Sequence, residues 1–129
     1  MFNFFKNSTN QNLPEIWTVP EQTSEIDTIF EDKEGCYLIY KHSYRCSTCI
    51  FTMQSLNKYA DQFKGITKAY FIDVVAQRAL SNHVAQVSGV RHESPQALLI
   101  YKGDVFWHDS HSGVRGELVL ECLEELFPA

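Results

Sequence analysis

The feature that leaves this chain the least freedom is a short apolar run that leads directly into two cysteines three positions apart. Tyr37 to Ile50 read Tyr-Leu-Ile-Tyr-Lys-His-Ser-Tyr-Arg-Cys-Ser-Thr-Cys-Ile. Cys36 to Tyr40 reads as a buried strand. From Cys49 onward, Met53, Leu56, Ala60 and Phe63 fall on one helical stripe, and Gly65 is the expected stop. A strand that delivers Cys-x-x-Cys to the first turn of a helix has the layout of a thiol–disulfide redox site.

The rest of the chain fits around that unit. Residues 1–13 are rich in Asn, Gln, Ser and Thr and read as a flexible lead-in to a single domain over 14–129. Ile16 to Val19, bracketed by Pro14 and Pro20, reads as a short edge strand. Thr23 or Ser24 caps a helix that carries Ile26, Ile29 and Phe30 towards Gly35. Ala69 to Val75 is a second apolar strand, closed near Asp73. Leu80, Val84 and Val87 give the next helix its buried face, and Gly89 ends it. Ala97 to Tyr101 and Val105 to Trp107 form a hairpin about Lys102-Gly-Asp104. His108 and His111 flank a loop with no assigned role. A last helix, about Glu117 to Phe127, buries Val119, Leu123 and Leu126.

The order β-α-β-α-β-α-β-β-α implies parallel strands with right-handed crossovers, then an antiparallel hairpin. That is an α/β, thioredoxin-like fold: a central mixed sheet of four to five strands flanked by helices on both faces.

Composition excludes several functions. A net charge of −5 without a basic run offers no nucleic-acid surface. No apolar stretch is long enough to span a bilayer and no signal-peptide region opens the chain, so a cytoplasmic location is expected. Four cysteines in a reducing compartment point to reactive or metal-binding thiols rather than a disulfide frame.

Side chains at i and i+3 in a first helical turn are close enough to cycle between dithiol and disulfide. Cys46, at the helix N-terminus, gains from unpaired N–H groups and the macrodipole, and Arg45 beside it adds positive charge. Cys49 lies on the buried stripe and keeps a higher pKa. Cys46 is therefore the expected nucleophile and Cys49 the expected resolver. Two cysteines in the core, or a zinc site with His42 as a third ligand, are the other readings; zinc takes four ligands, and only one Cys-x-x-Cys is present. Cys36 and Cys122 read as packing residues, and Lys41 to Arg45 as an exposed approach to the site.

The second landmark is Val90-Arg-His-Glu-Ser-Pro-Gln96. A proline directly before a buried strand reads as a cis turn, with a trans turn as the plain alternative. Ser94 and Pro95 are expected to face the cysteine helix and to pair with an extended substrate segment. His92 and Glu93 are candidates to tune the thiols or bind the leaving thiol, and His42 to transfer a proton, with a solvated side chain as the plain reading of each; Asp73 reads as closing its strand, with a proton acceptor near the sulfurs as the alternative.

Lys41-His-Ser43 before an active cysteine, together with Val90-Arg-His-Glu-Ser-Pro-Gln-Ala97, resembles the YtxJ-like bacilliredoxin family of the thioredoxin superfamily, from about Thr23 to the end. The resemblance implies Cys46 as the active cysteine and Pro95 as the family's cis-proline. It also implies reduction of protein–bacillithiol mixed disulfides, with bacillithiol as thiol co-substrate and no other cofactor. Members are described as monothiol, so Cys49 is a departure. Tyr40 stands six residues before Cys46, where thioredoxins commonly carry a buried carboxylate. The competing expectations are a general dithiol reductase of protein disulfides, recharged by a flavin-dependent reductase, and a non-catalytic binding or metal-carrier module.

Overall fold

Strand β2 (Cys36–His42) is the axis of the molecule, with six of its seven residues buried. A strand buried on both faces needs partners at both edges and a helical layer on each side. In the computed structural model, which describes residues 13–128, it has all of them. Strand β3 (Lys68–Asp73) pairs parallel along one edge, from Tyr37↔Lys68 to His42↔Asp73. Strand β4 (Gln96–Tyr101) pairs antiparallel along the other, from Cys36↔Tyr101 to Lys41↔Gln96. The short β1 (Trp17–Thr18) lies beyond β3, and β5 (Asp104–Ser110) beyond β4, giving the order β1-β3-β2-β4-β5. Lys102 and Gly103 turn the β4–β5 hairpin, both with positive φ (54° and 86°), the geometry that matches strand twist in a two-residue turn.

One face is covered by α1 (Thr23–Glu31) and α4 (Arg78–Ser88). The Glu25 carboxylate accepts from the backbone N–H of Gln22 and so closes a capping box at the start of α1. Gly89, at φ 74°, ends α4 in the left-handed conformation. Ile26, Ile29, Leu80 and Val84 pack there on Ile39, Ile72, Leu98 and Ile100. The other face carries α2 (Ser47–Lys58), the one-turn α3 (Ala60–Phe63) and α5 (Gly116–Leu126). Leu56, Phe63, Val119 and Leu123 pack there on Leu38, Tyr40, Phe71 and Leu99. The α/β architecture with a mixed sheet is therefore as expected, at the upper limit of five strands.

Several boundaries differ from the sequence reading. The cysteine helix does not run unbroken to Gly65: it ends at Lys58, and Tyr59 (φ −105°, ψ 12°) separates it from α3. β3 stops at Asp73, leaving Val75 exposed, and Val87 is exposed on the outer side of α4. β5 runs on to Ser110, so His108 is in a strand and His111 in a single 3-10 turn. β2 includes Lys41 and His42, both buried, so only Ser43 to Arg45 remain as the approach. The lead-in expected over residues 1–13 lies outside the described residues except for Leu13, which packs against the core.

Candidate active site

Strand β2 ends at His42, and four residues later Cys46 occupies the N-cap of α2 with extended backbone (φ −112°, ψ 122°). The turn between them is closed by the Cys46 N–H donating to the Ser43 carbonyl at 3.2 Å. All four cysteines are free thiols. The backbone N–H of Cys49 is the strongest influence holding the Cys46 thiol below its ordinary pKa; weak burial opposes it, and the Cys49 side chain and the Thr48 N–H and hydroxyl assist. The two N–H groups among them lie in the first turn of the helix, where no helical carbonyl four residues back exists to hold them, although the Cys49 N–H also donates to the Cys46 carbonyl at 3.2 Å. The Arg45 side chain is exposed and is not among the groups acting on that thiol. Its guanidinium stays in solvent, where water and salt screen its charge.

Cys49 is fully buried. Burial pushes its thiol up, opposed by the Ser43 N–H, which donates to the sulfur at 3.4 Å, and by the Ser94 hydroxyl 4.0 Å away. The Ser94–Pro95 peptide bond is cis, and it brings Ser94 from the β4 side of the sheet to the cysteine helix. Two thiols one helical turn apart are thus differentiated. The outer one is poised to ionise, and the inner one is kept protonated.

Beneath Cys49 lies a polar group that the sequence did not announce. The Tyr40 hydroxyl is 2.8 Å from Thr52 Oγ1, 2.7 Å from His42 Nδ1 and 3.4 Å from the Cys49 carbonyl oxygen. Thr52 in turn donates to that carbonyl at 3.0 Å. Tyr40 reads as core because it ends an apolar run, and its ring is indeed fully buried. The available signal was the period of two: Tyr40 and His42 share a face of β2, and that face meets α2. His42 does not touch the thiols directly. Burial lowers its pKa, and the Asp73 carboxylate opposes this.

The other expected site residues lie elsewhere. His92 belongs to the opposite side of β2, where its Nδ1 is 3.2 Å from Lys41 Nζ and 3.1 Å from Ser81 Oγ. Its pKa is lowered by burial and by the Lys41 and Arg78 charges. Glu93 accepts from the Ser110 hydroxyl, the main cause of its lowered pKa, and is 3.7 Å from His111. The structure does not bring either side chain to a thiol: His92 turns to Lys41 and Ser81, and Glu93 to Ser110 and His111. Asp73 spends one carboxylate oxygen on the N–H groups of Val75 and Ala76, closing its strand. Cys36 and Cys122 pack at the margin of the core. Among the described residues no group of three or more His, Cys, Asp or Glu could hold a metal ion, and no helix is long and apolar enough to cross a membrane.

Comparison with known proteins agrees with this geometry. Residues 20–119 match the sequence model of a family described as "Monothiol bacilliredoxin BrxC". Among solved structures, a protein described as having a thioredoxin fold superposes with TM-score 0.72 at 21% identity, covering 83% of this chain and 93% of that one. A thioredoxin from Trypanosoma brucei brucei gives 0.67 at 12% identity, covering 87% and 91%. A thioredoxin variant from Halobacterium salinarum gives 0.62 at 19%, covering 84% and 88%. The fold is a thioredoxin fold.

Proposed function

Because this chain belongs to the monothiol bacilliredoxin family, whose members with this fold are thiol–disulfide oxidoreductases, we propose that it removes bacillithiol from protein mixed disulfides in the cytoplasm. The observation that supports this most is the free Cys46 thiol at the start of α2, held below its ordinary pKa by helix-end N–H groups. The thiolate attacks the bacillithiol sulfur of a protein–S–S–bacillithiol bond, the protein leaves as a thiolate, and Cys46 is left capped. Ser94, beside the cis bond, would align an extended segment of the protein substrate, and the exposed Tyr44, Ile50 and Phe51 would give it an apolar rim to rest on.

A second reading is favoured by one observation: a buried thiol lies one helical turn from Cys46, where a monothiol enzyme needs none. In this reading Cys49, as thiolate, attacks Cys46 Sγ and bacillithiol leaves as its thiolate. The product is a Cys46–Cys49 disulfide, which a two-electron donor such as a low-molecular-weight thiol or a flavin-dependent reductase must reduce. General reduction of protein disulfides would follow the same two steps.

The test is a purified protein carrying a bacillithiol mixed disulfide. Wild type releases the protein thiol, and Cys46→Ser is expected to lose at least about a thousandfold in rate, because a hydroxyl cannot substitute for a thiolate in this exchange. Cys49→Ser should still turn over once and remain capped at Cys46 by mass; wild type that also stays capped supports the monothiol reading, and wild type that shows the internal disulfide supports the second. Unimpaired release by Cys46→Ser would remove the proposal.

A further inference from the structure

We propose that the Ser94 hydroxyl is the proton exit of Cys49: it takes the thiol proton as it gives its own to solvent water, and then donates to the thiolate that attacks Cys46. This rests on the reading in which Cys49 resolves the mixed disulfide. A resolving thiol must lose a proton, and Cys49 is fully buried, so water does not reach it directly. Tyr40, at the position where thioredoxins commonly carry a carboxylate, meets Cys49 at its carbonyl oxygen, 3.4 Å away, and has Thr52 and His42 as further partners.

Apart from Cys46, two groups meet the Cys49 sulfur among the described residues: the Ser43 N–H at 3.4 Å and the Ser94 hydroxyl at 4.0 Å. The β2–β4 register puts both there. Lys41 pairs with Gln96, so continuing the antiparallel ladder by two residues sets Ser43 opposite Ser94, and each reaches the sulfur. The two contacts differ in what they can do. A backbone N–H only donates, so Ser43 steadies a thiolate and accepts nothing. A hydroxyl donates and accepts at once. Ser94 is half-buried and so stands between a buried sulfur and solvent. Pro95 after it is buried, and its carbonyl accepts from the His111 N–H at 2.9 Å, which fixes the turn that carries the hydroxyl.

In the resting protein the Cys49 side chain helps to hold the Cys46 thiol below its ordinary pKa. Once Cys46 is capped its sulfur carries no charge, and of the groups at the Cys49 sulfur the Ser94 oxygen is the acceptor that remains. The titratable groups facing Cys49 are Cys46 from its own helix and Tyr40 from β2, whose hydroxyl burial keeps protonated. His42 and Asp73 lie beyond Tyr40, and the loop residues His92 and Glu93 turn to other partners. The step balances. Cys49 loses H⁺ to Ser94 Oγ as Ser94 loses its own H⁺ to water, which leaves the hydroxyl proton between oxygen and sulfur. The thiolate pair then forms the Cys46–Cys49 bond, and the bond from Cys46 to the capping sulfur breaks, with its electron pair leaving on the departing thiolate. Ser94 finishes as the hydroxyl it began as.

The experiment uses an aromatic disulfide that releases a coloured thiolate, a probe with no extended chain for the turn to align. The first equivalent reports attack by Cys46, and the second reports attack by Cys49. The readout is the ratio of the two rates as a function of pH. Ser94→Ala is expected to lower the ratio of second to first release about tenfold near neutral pH. It should also move the rise of the second rate up by about one pH unit, as loss of one hydrogen bond to a charged group requires. Ser94→Thr keeps a hydroxyl and should stay within about threefold of wild type, whereas Ser94→Val, of the same shape without it, should behave as Ser94→Ala. That isosteric pair decides the matter even where Ser94→Ala folds poorly. A ratio that falls without the pH shift, or that falls equally with Thr and Val, makes Ser94 a packing residue and overturns the exit. An unchanged ratio and profile in Ser94→Ala also overturns it while leaving Cys49 as resolver. Absence of a second release in wild type overturns the resolver role, and the exit with it.

Discussion

Tyr40 and His42 face the cysteine helix across one side of the sheet, while Lys41, between them in sequence, faces α4 across the other. All three are buried, yet the two sides handle polar atoms differently. On the cysteine side Tyr40, Thr52, His42 and the Cys49 carbonyl form one connected set, with every distance between 2.7 and 3.4 Å. On the far side the Lys41 amine is fully buried and, among the described residues, is joined to His92 Nδ1 alone at 3.2 Å. Gln96, its partner across the β2–β4 pair, turns its amide to the Arg91 carbonyl and leaves Oε1 buried without a partner among the described residues. The difference teaches where polarity is an instrument and where it is a burden. A satisfied network can be buried beside the cysteine helix at little cost, whereas an under-paired amine mainly lowers stability.

The largest effect that would break this contrast is on the Lys41 side. Burial lowers the Lys41 pKa from 10.5 to about 8. Below pH 8 both folded and unfolded chains hold the proton, so the folded state carries the full penalty of a buried charge. Between pH 8 and 10.5 the folded chain releases its proton first, and stability contributed at this site rises by up to about 3 kcal/mol. Lys41→Met should lack that rise, so urea midpoints of the two proteins, compared across pH 7 to 10, should show a gap that narrows as pH increases. Redox activity should stay within about twofold, since Lys41 touches neither thiol. A gap independent of pH would mean that the amine is compensated by groups beyond His92, and the two sides would then be alike.

This contrast also marks what could be read from the residues. The sheet, the layers and the position of Cys46 at a helix start follow from apolar runs of one period meeting apolar stripes of another, and residues such as Leu38, Ile72 and Leu98 carry that signal plainly. The same signal concealed Tyr40, because an aromatic at the end of an apolar run is indistinguishable from core until the register shows which helix lies over it. Lys41 misled in the opposite direction. A charged residue after a strand reads as exposed, but β3 and β4 both run far enough to pair with it, at Ile72 and Gln96, and keep that end of β2 covered. Proximity in sequence to Pro95 groups His92 and Glu93 with the thiols, but loop conformation, not spacing, decides which way consecutive side chains turn.

A second effect tests what holds the cysteine side together. Gly116 opens α5 against the middle of α2: its N–H donates to Ser55 Oγ at 2.9 Å, and a Cβ there would come within 2.5 Å of both the Ser55 carbonyl oxygen and Tyr59 Cδ2. Backbone cannot yield as a flexible side chain would. Gly116→Ala should therefore cost about 2 kcal/mol and lower Tm by about 5–10 °C in a thermal melt. Because α2 carries both sulfurs, the ratio of second to first thiolate release should change as well. A stability loss with an unchanged ratio would place the clamp outside the machinery and assign the geometry of the site to the β2 end alone.

The smallest effect concerns the two thiols themselves. Cys46 is half-buried with its pKa lowered, and Cys49 is buried with its pKa raised. Iodoacetamide near pH 7 should modify Cys46 at least about ten times faster than Cys49, since both access and thiolate fraction favour it. The leading donor is the Cys49 backbone N–H, which no side-chain substitution removes, and the side chains that assist it are those of Cys49 and Thr48, not Arg45. Arg45→Ala should therefore change the Cys46 rate by less than about twofold, as expected for an exposed charge screened by solvent and salt. A larger fall would return to Arg45 the role that its exposure denies it, and would make the electrostatics of the site depend on the approach loop rather than on the helix start.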